Sequence, residues 1–449
     1  MKLEGKRIHF IGICGISLSA LAVMCKAMGA EVSGSDLAEG SKAKELRQLG
    51  IAVFIGHSKQ NVKNSEIVVY SSAVSEDNVE LRYAKEHKLK VLKRATLLGE
   101  ISKQYETTIA VSGCHGKTTT TAMIGKMLVD YNLDPTIHIG GEFSFIGGNV
   151  RVGGKRFFVT EACEYKNNFL KLRPDISVVL NVEPDHLDFF KTFENVKLGF
   201  YKFLSKTKHT IVINADCEHI VIPQDRKVIN FSLNNIGFVN AVNLELNLDG
   251  TYSFDYILDG AIRGRIKLAV CGKHNIYNAL ACIVVGEVLK IPPSNYIKSL
   301  ESFKGVDRRF QLMGTINKAN FIIDYAHHPT EIESSIKTAK TFTKGEVIAI
   351  FQPHTFSRTQ SLFCEFISSL MLADKSAFYK IYPAREEPIE GITHFSLAQK
   401  AKAMGAKSIA ISDYDELVNF IYSNAKIGNT ILLLGAGDYV DVCNKLKFD

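Results

Sequence analysis

No C-x-x-C pair occurs among the nine cysteines, at positions 14, 25, 114, 163, 217, 271, 282, 364 and 443, and none has zinc-site spacing. An odd, scattered set of thiols argues against a disulfide framework and fits reduced, mostly buried side chains in a cytoplasmic protein. A Lys/Arg run is missing too. The net charge of +7 is spread along the chain, which gives nucleic-acid binding little support and suits anionic small molecules. Prolines are few, and there is neither a low-complexity segment nor a short repeat, so disordered and fibrous classes are excluded. Long apolar runs are also absent. Residues 8–30 come nearest, but His9, Lys26 and several serines and glycines break them, and no small-residue cleavage signal follows. A strand, a glycine turn and a buried helix explain this stretch better than a signal peptide or a membrane span.

What is present is a well-packed composition, 46% hydrophobic with 22% charged residues, over 449 residues. That length exceeds one ordinary core and implies two or three domains. Short β-rich runs alternate with helical patterns. RIHFIGI, EVSGSD, AVFIG, EIVVYSS and KVLK form a first βα series up to about residue 104. TTIAVSG, RFFVTEA, ISVVLNV and TIVINAD form a second, and residues 227–271 read as hairpins on its sheet edge. KHNIYNALACIVVGEVL is a buried helix by its apolar spacing. After a junction near 305, FIIDYA, EVIAIFQ, KSAFYKIYP, SIAIS and TILLLGAG form a third. The expected architecture is α/β, three units in tandem.

The stretch VSGCHGKTTTT, residues 111–121, looks like a phosphate loop with a piece missing. The usual signature places four residues between its glycines, whereas only two separate Gly113 from Gly116. Its context is still that of a phosphate site: a strand, glycines, then a helix whose positive end faces an anion. Gly113, Cys114, His115 and Gly116 form the turn. Lys117 supplies a cation, Thr118 a hydroxyl within reach of Mg²⁺, and Thr119 follows on the helix. A glycine turn before a Thr-rich helix start is the plain structural alternative. Glu161, at the end of a strand, is a natural ligand for a hard cation. Asp185, His186 and Asp188 crowd another strand's carboxyl end, where α/β sheets bind ligands. In DRRFQ, Arg309 is preferred over Arg308 as a group that neutralises phosphoryl charge, the alternative being a surface pair in a linker. IIDYAHHPTE brings Asp324, Tyr325, His327 and His328 to a strand end, with a helix cap expected at Thr330 and Glu333. FQPHTFSRTQ does the same for His354 and Arg358, the arginine suited to a substrate carboxylate.

Taken together, these segments resemble the Mur ligase family over essentially the whole length. The resemblance rests on HFIGICGISLSALA, YSSAVSEDN, GCHGKTTTT, EACEYKNNFL, NVEPDHLDFF, KHNIYNALA, GVDRRF, DYAHHPTEI, QPHTFSRT, IYPAREEPIEGI and LLGAGD, in that order. It implies an N-terminal Rossmann-like UDP-sugar domain (1–104), a central P-loop-type ATPase with a mostly parallel sheet (105–305), and a C-terminal Rossmann-like domain (306–449). It also implies ATP and Mg²⁺ as cofactors, L-alanine and UDP-N-acetylmuramic acid as substrates, no membrane partner, and a monomer or homodimer.

Site roles follow from the resemblance, residue by residue. Lys117 and Thr118 take phosphate and Mg²⁺, and Glu161 and His186 fall at metal positions. Asn278 falls where the family reads the adenine, with Asn275 beside it, and Arg309 and Asp324 contact the nucleotide. Tyr325, His327, His354 and Arg358 handle the alanine and the acyl phosphate. The Gly12/Gly15 loop holds the UDP diphosphate, with Asp36, His57, Ser71 and Ser72 toward the uridine and ribose. Cys14, Ser17, Cys114 and Thr355 depart from the family's usual residues. The competing readings are a recycling ligase that adds a tripeptide to the same sugar nucleotide and a nucleotide-binding regulator that has lost catalysis. A second, ATP-type loop argues against a dehydrogenase.

Overall fold

A computed structural model describes residues 1–71, 73–234, 237–384 and 386–449, with the backbone alone for residues 188 and 440. Three sheets carry the fold. The first is all parallel, with strands in the order Ala52–Ile55, Glu31–Asp36, Arg7–Ile11, Ile67–Tyr70 and Lys90–Lys93. Its central strands are buried on both faces, as continuous Val/Ile runs between helices require.

The second sheet has ten strands. Its central run is Lys227–Ser232, Thr210–Asn214, Ile176–Val179, Thr107–Ser112, Phe157–Glu161 and Thr136–Phe143, parallel throughout, with Gly148–Arg151 antiparallel on one edge. Val239–Leu246, Thr251–Leu258 and Ala261–Cys271 finish the other edge in chain order. Lys227–Ser232, expected in a hairpin, instead extends the parallel series beside Thr210–Asn214. The third sheet runs Gln311–Ile316, Ala319–Asp324, Thr430–Leu434, Val347–Phe351, Lys375–Tyr379 and Ser408–Ile411, antiparallel only at its first pair.

The chain divides into two compact units. One comprises residues 1–242, 255–264 and 277–301; the other comprises 243–254, 265–276 and 302–449. In the first, one apolar core runs from Phe10, Leu21 and Val69 through Leu97 and Ile101 to Phe169 and Phe200. Helix Arg94–Ser102 packs so closely on the turn Tyr165–Lys171 that a Cβ on Gly99 would lie 2.3 Å from the Lys171 carbonyl oxygen. In the second, apolar clusters fill both faces of the six-stranded sheet. No helix among the described residues is long and apolar enough to cross a membrane.

Candidate functional site

The phosphate loop leaves strand Thr107–Ser112 and enters helix Lys117–Asp130. Gly116 caps that helix at φ 83°, where a Cβ would stand 2.6 Å from Asn278 Oδ1, so only glycine fits both the left-handed backbone and the close approach. The turn is tied to the neighbouring strand's end. His115 N donates to Asn181 Oδ1 at 2.9 Å, and Asn181 Nδ2 returns a bond to the His115 carbonyl at 3.1 Å. Cys114 continues the tie: its Sγ accepts from Glu183 N at 3.2 Å and donates to the Glu183 carbonyl at 3.5 Å. Burial pushes this thiol far above the ordinary range, with the Glu164 charge adding to it, so proximity to a helix N-terminus does not create a thiolate here. Thr118 is buried and Thr119 half-buried on the same helix.

Lys117 Nζ donates to the carbonyls of Gly113 (2.5 Å) and Cys114 (3.0 Å) and to Glu164 Oε1 (3.1 Å). Burial, the largest single influence, would lower its pKa; the Glu164 charge together with the other acidic neighbours, Glu161 among them, outweighs that and holds it above its ordinary value. Glu164 was not singled out from the sequence, yet it is the hub. Burial would raise its pKa, but the Lys117 charge and the His186 hydrogen bond hold it below the usual range. His186 Nε2 lies 3.5 Å from Glu164 Oε1 and 3.6 Å from Asp185 Oδ2, beneath the Tyr165 ring at 4.6 Å. One ligand atom from each of Glu164, Asp185 and His186 falls within 4.8 Å of the others. His186 reaches this position in a left-handed backbone conformation, φ 53°, of the kind that persists where surrounding structure enforces it.

These donors fit a hard divalent cation. Two carboxylates and an imidazole converge, and while Lys117 pairs with Glu164 Oε1, the buried Oε2 has no hydrogen-bond partner among the described residues, which leaves an oxygen for a cation. Glu161, expected beside His186, stands outside this trio. Its Oε1 accepts from Gly140 N at 2.6 Å on the adjoining strand. Asn278 accepts from Thr120 Oγ1 at 3.1 Å, against the loop helix, while Asn275 donates to the Cys271 carbonyl at 2.7 Å.

At the first glycine loop, the amides of Gly12 and Ile13 both go to the Ser35 carbonyl, at 2.8 and 3.0 Å, and Gly15 N goes to Gly12 O at 3.1 Å. Asp36 braces the loop by accepting from Cys14 N and Leu37 N, each at 2.8 Å. The amide end that remains for an anion is the first turn of helix Ile16–Ala27. Arg94 Nη1 donates to Ser17 Oγ at 3.0 Å, so the serine that replaces glycine there holds a guanidinium. His57 contacts Ser35 and Glu80, Ser71 Oγ accepts from Ala73 N at 3.3 Å, and Ser72 lies outside the described residues.

In the second unit, both arginines of the DRRF segment stack on Tyr325, at 5.0 Å for Arg308 and 5.1 Å for Arg309. Arg308 is committed to the Gly435 and Gly437 carbonyls at 3.3 and 3.1 Å, and Arg309 acts electrostatically on Asp324. His327 Nδ1 donates to the Tyr325 carbonyl at 3.0 Å, leaving Nε2 as the lone-pair nitrogen. Burial, against the pull of Glu331, lowers its pKa to about 4. Arg358 acts on both His327 and His354, so these three expected residues share one neighbourhood. The helix cap is shifted from expectation. His328 is the N-cap and Glu331 completes the capping box, with Pro329 as the first helical residue, a position proline suits, and Glu333 pairs with Lys337 instead.

Residues 7–106 match the Mur ligase family, catalytic domain; 111–286 the Mur ligase middle domain; and 308–437 the Mur ligase, glutamate ligase domain. A UDP-N-acetylmuramate–L-alanine ligase of Clostridium botulinum (strain Okra / Type B1) is 40% identical over 447 residues, covering 98% of this chain and 97% of that one. One from Acetivibrio thermocellus is 42% identical over 443 residues, covering 97% and 94%. The crystal structure of a UDP-N-acetylmuramate–alanine ligase from Thermotoga maritima superposes with a TM-score of 0.84 at 27% identity, covering 98% and 97%. On its three matched domains and these full-length likenesses, the chain belongs to the Mur ligase family.

Proposed function

We propose that the chain is an ATP-dependent ligase that joins L-alanine to the lactyl carboxylate of UDP-N-acetylmuramic acid through an acyl phosphate, in peptidoglycan precursor synthesis. The carrying observation is Lys117 held on the buried Glu164, with His186 beside it, at the phosphate loop. The activity of relatives such as the Clostridium botulinum ligase, 40% identical to this chain, supports alanine as the amine. The functional domains are assigned to 1–104, 105–305 and 306–449.

A carboxylate resists amine attack because it offers no adequate leaving group. A lactyl oxygen therefore attacks the γ-phosphorus, and the bond from that phosphorus to the β-phosphate oxygen breaks to release ADP. The amine of alanine then attacks the acyl carbon, loses a proton, and the C–O bond breaks to release phosphate. No covalent enzyme intermediate is needed; positioning and charge neutralisation carry the rate. Lys117 exchanges its loop carbonyls for phosphate oxygens. Glu164, Asp185 and His186, with Thr118 and Glu161 as further proposed ligands, would hold Mg²⁺, which when bound neutralises phosphate charge. Arg309 meets the transferring phosphoryl group, and Asn275 and Asn278 meet the adenine. His327, kept neutral, takes the amine's proton at Nε2. Arg358 and His354 grip the amino-acid carboxylate.

Phosphate release with ATP, Mg²⁺ and UDP-N-acetylmuramic acid tests this. Turnover should require the sugar nucleotide and favour L-alanine over glycine, L-serine and the tripeptide. Release with the tripeptide alone would reassign the chain to the recycling reaction, and no release with any amine would leave a nucleotide-binding regulator.

A further inference from the structure

Glu80 is the most thoroughly buried carboxylate of the N-terminal sheet, with none of its side chain exposed. It occupies the first turn of helix Val79–Glu86, whose positive end favours an anion, and Asn78 caps that helix. Ser58 N and Asn61 Nδ2 donate to its Oε1 at 3.1 and 2.6 Å. Its Oε2 takes the Ser35 hydroxyl at 2.5 Å, lies 3.2 Å from His57 Nδ1, and lies 3.6 Å from Nε2 of the buried His9. Burial would raise its pKa, yet the His9, Ser35 and Asn61 contacts hold it down at about 2. An apolar residue would fill the same space without the several kcal/mol that burying a charge costs, so the carboxylate has work beyond packing.

Of the two imidazoles on this carboxylate, His9 is buried and His57 reaches the surface, with 17% of its side chain exposed. It follows strand Ala52–Ile55 at the sheet's carboxyl edge, where open α/β sheets bind ligands. Nδ1 faces Ser35 Oγ at 3.0 Å, whose own hydrogen goes to Glu80, and Glu80 Oε2 at 3.2 Å; both call for a proton on Nδ1, which leaves Nε2 as the hydrogen-bond acceptor.

We propose that Glu80 is a positioning residue for the sugar nucleotide: it fixes the tautomer of His57 so that Nε2 accepts from a donor group on the uridine, either the uracil N3–H or a ribose hydroxyl. This rests on the reading of the N-terminal sheet as the UDP-binding site. Glu80→Gln places an amide N–H against His57 Nδ1, which reverses the tautomer and sets a donor against a donor.

The test is binding of UDP-N-acetylmuramic acid to the full chain without ATP, together with the ¹⁵N shifts of His57. Glu80→Gln and His57→Ala should each raise Kd about tenfold, the cost of one good hydrogen bond. The double variant should be no weaker than either single one. The Nδ1–H signature of the parent should become Nε2–H in Glu80→Gln, with ATP affinity unchanged. N3-methyl-UDP and 2′-deoxy-UDP separate the two donor sources: the analogue lacking the true donor loses affinity for the parent only. Should Glu80→Gln fail to fold, Glu80→Asp retracts the carboxylate from His57 while keeping its charge, and the same loss is expected. A folded Glu80 variant with parental Kd, or effects that multiply in the double variant, would overturn the proposal. A His57→Ala variant that binds normally would instead sink the assignment of His57 to the uridine, and a parent that binds no sugar nucleotide would sink the proposed function.

Discussion

Lys117 neutralises Glu164, so removing it has two separable consequences. Lys117→Ala should cut turnover by about 10³-fold, the scale of losing a main charge-stabilising group, while UDP-sugar affinity should stay near parental under the proposed assignment of that ligand to the first sheet. Loss of both in a folded variant would contradict the assignment of the two ligands to different sheets. The same variant leaves a buried carboxylate unpaired, so added Mg²⁺ should raise its melting temperature more than the parent's. Cys114 gives a second check. Its buried, hydrogen-bonded thiol should resist iodoacetamide at pH 8, whereas the exposed Cys364 reacts without loss of activity; inactivation traced to Cys114 by peptide mapping would contradict its inert role. Lys117 and the loop were legible in the sequence because a phosphate turn is set by local spacing. Glu164 was not, because nothing local distinguishes it from Glu161. Two consecutive left-handed residues, Lys166 at φ 53° and Asn167 at φ 56°, shape the turn that follows it, and sequence spacing does not report such a turn.

At the scale of elements, the segment between strand Val347–Phe351 and helix Phe356–Ser361 places His354 and Arg358. Thr355 holds φ 68° and ψ 144°, a region few residues but glycine occupy. Its N–H is fixed on the Tyr382 carbonyl at 2.8 Å. Thr355→Gly should therefore raise unfolding free energy by about 1 kcal/mol in urea titrations, and raise KM for alanine as the segment loosens. An unchanged or lowered stability would show that the backbone carries no strain there. Most strands were readable as β-branched runs before a glycine or an acid. The pair Thr136–Phe143 and Gly148–Arg151 escaped, because its glycines hide the alternation. Gln311–Ile316 escaped as well: it has only a short apolar stretch and pairs antiparallel on an edge.

Across the whole molecule, two half-buried groups of the second unit set opposing pH dependences. Burial raises Asp324 from its ordinary 3.8 to about 6, over the contrary effects of Ser335 and Arg309. The folded chain there keeps a proton that the unfolded chain has lost, so stability falls as pH rises through that window. His327 falls from 6.5 to about 4; the unfolded chain binds a proton that the folded chain refuses, so stability rises with pH across that range. The two slopes largely cancel. Asp324→Asn should expose the rising limb and His327→Gln the falling one in denaturation measured from pH 4 to 7; an Asp324→Asn profile identical to the parent's would contradict the burial of that charge.

The central claim is that the sugar's carboxylate is activated by taking phosphate onto its own oxygen. UDP-N-acetylmuramic acid labelled with ¹⁸O in the lactyl carboxylate tests it in one turnover with ATP and L-alanine. Mass spectrometry should find one ¹⁸O in each phosphate released, carried over when the C–O bond breaks; unlabelled phosphate would mean that no acyl phosphate forms.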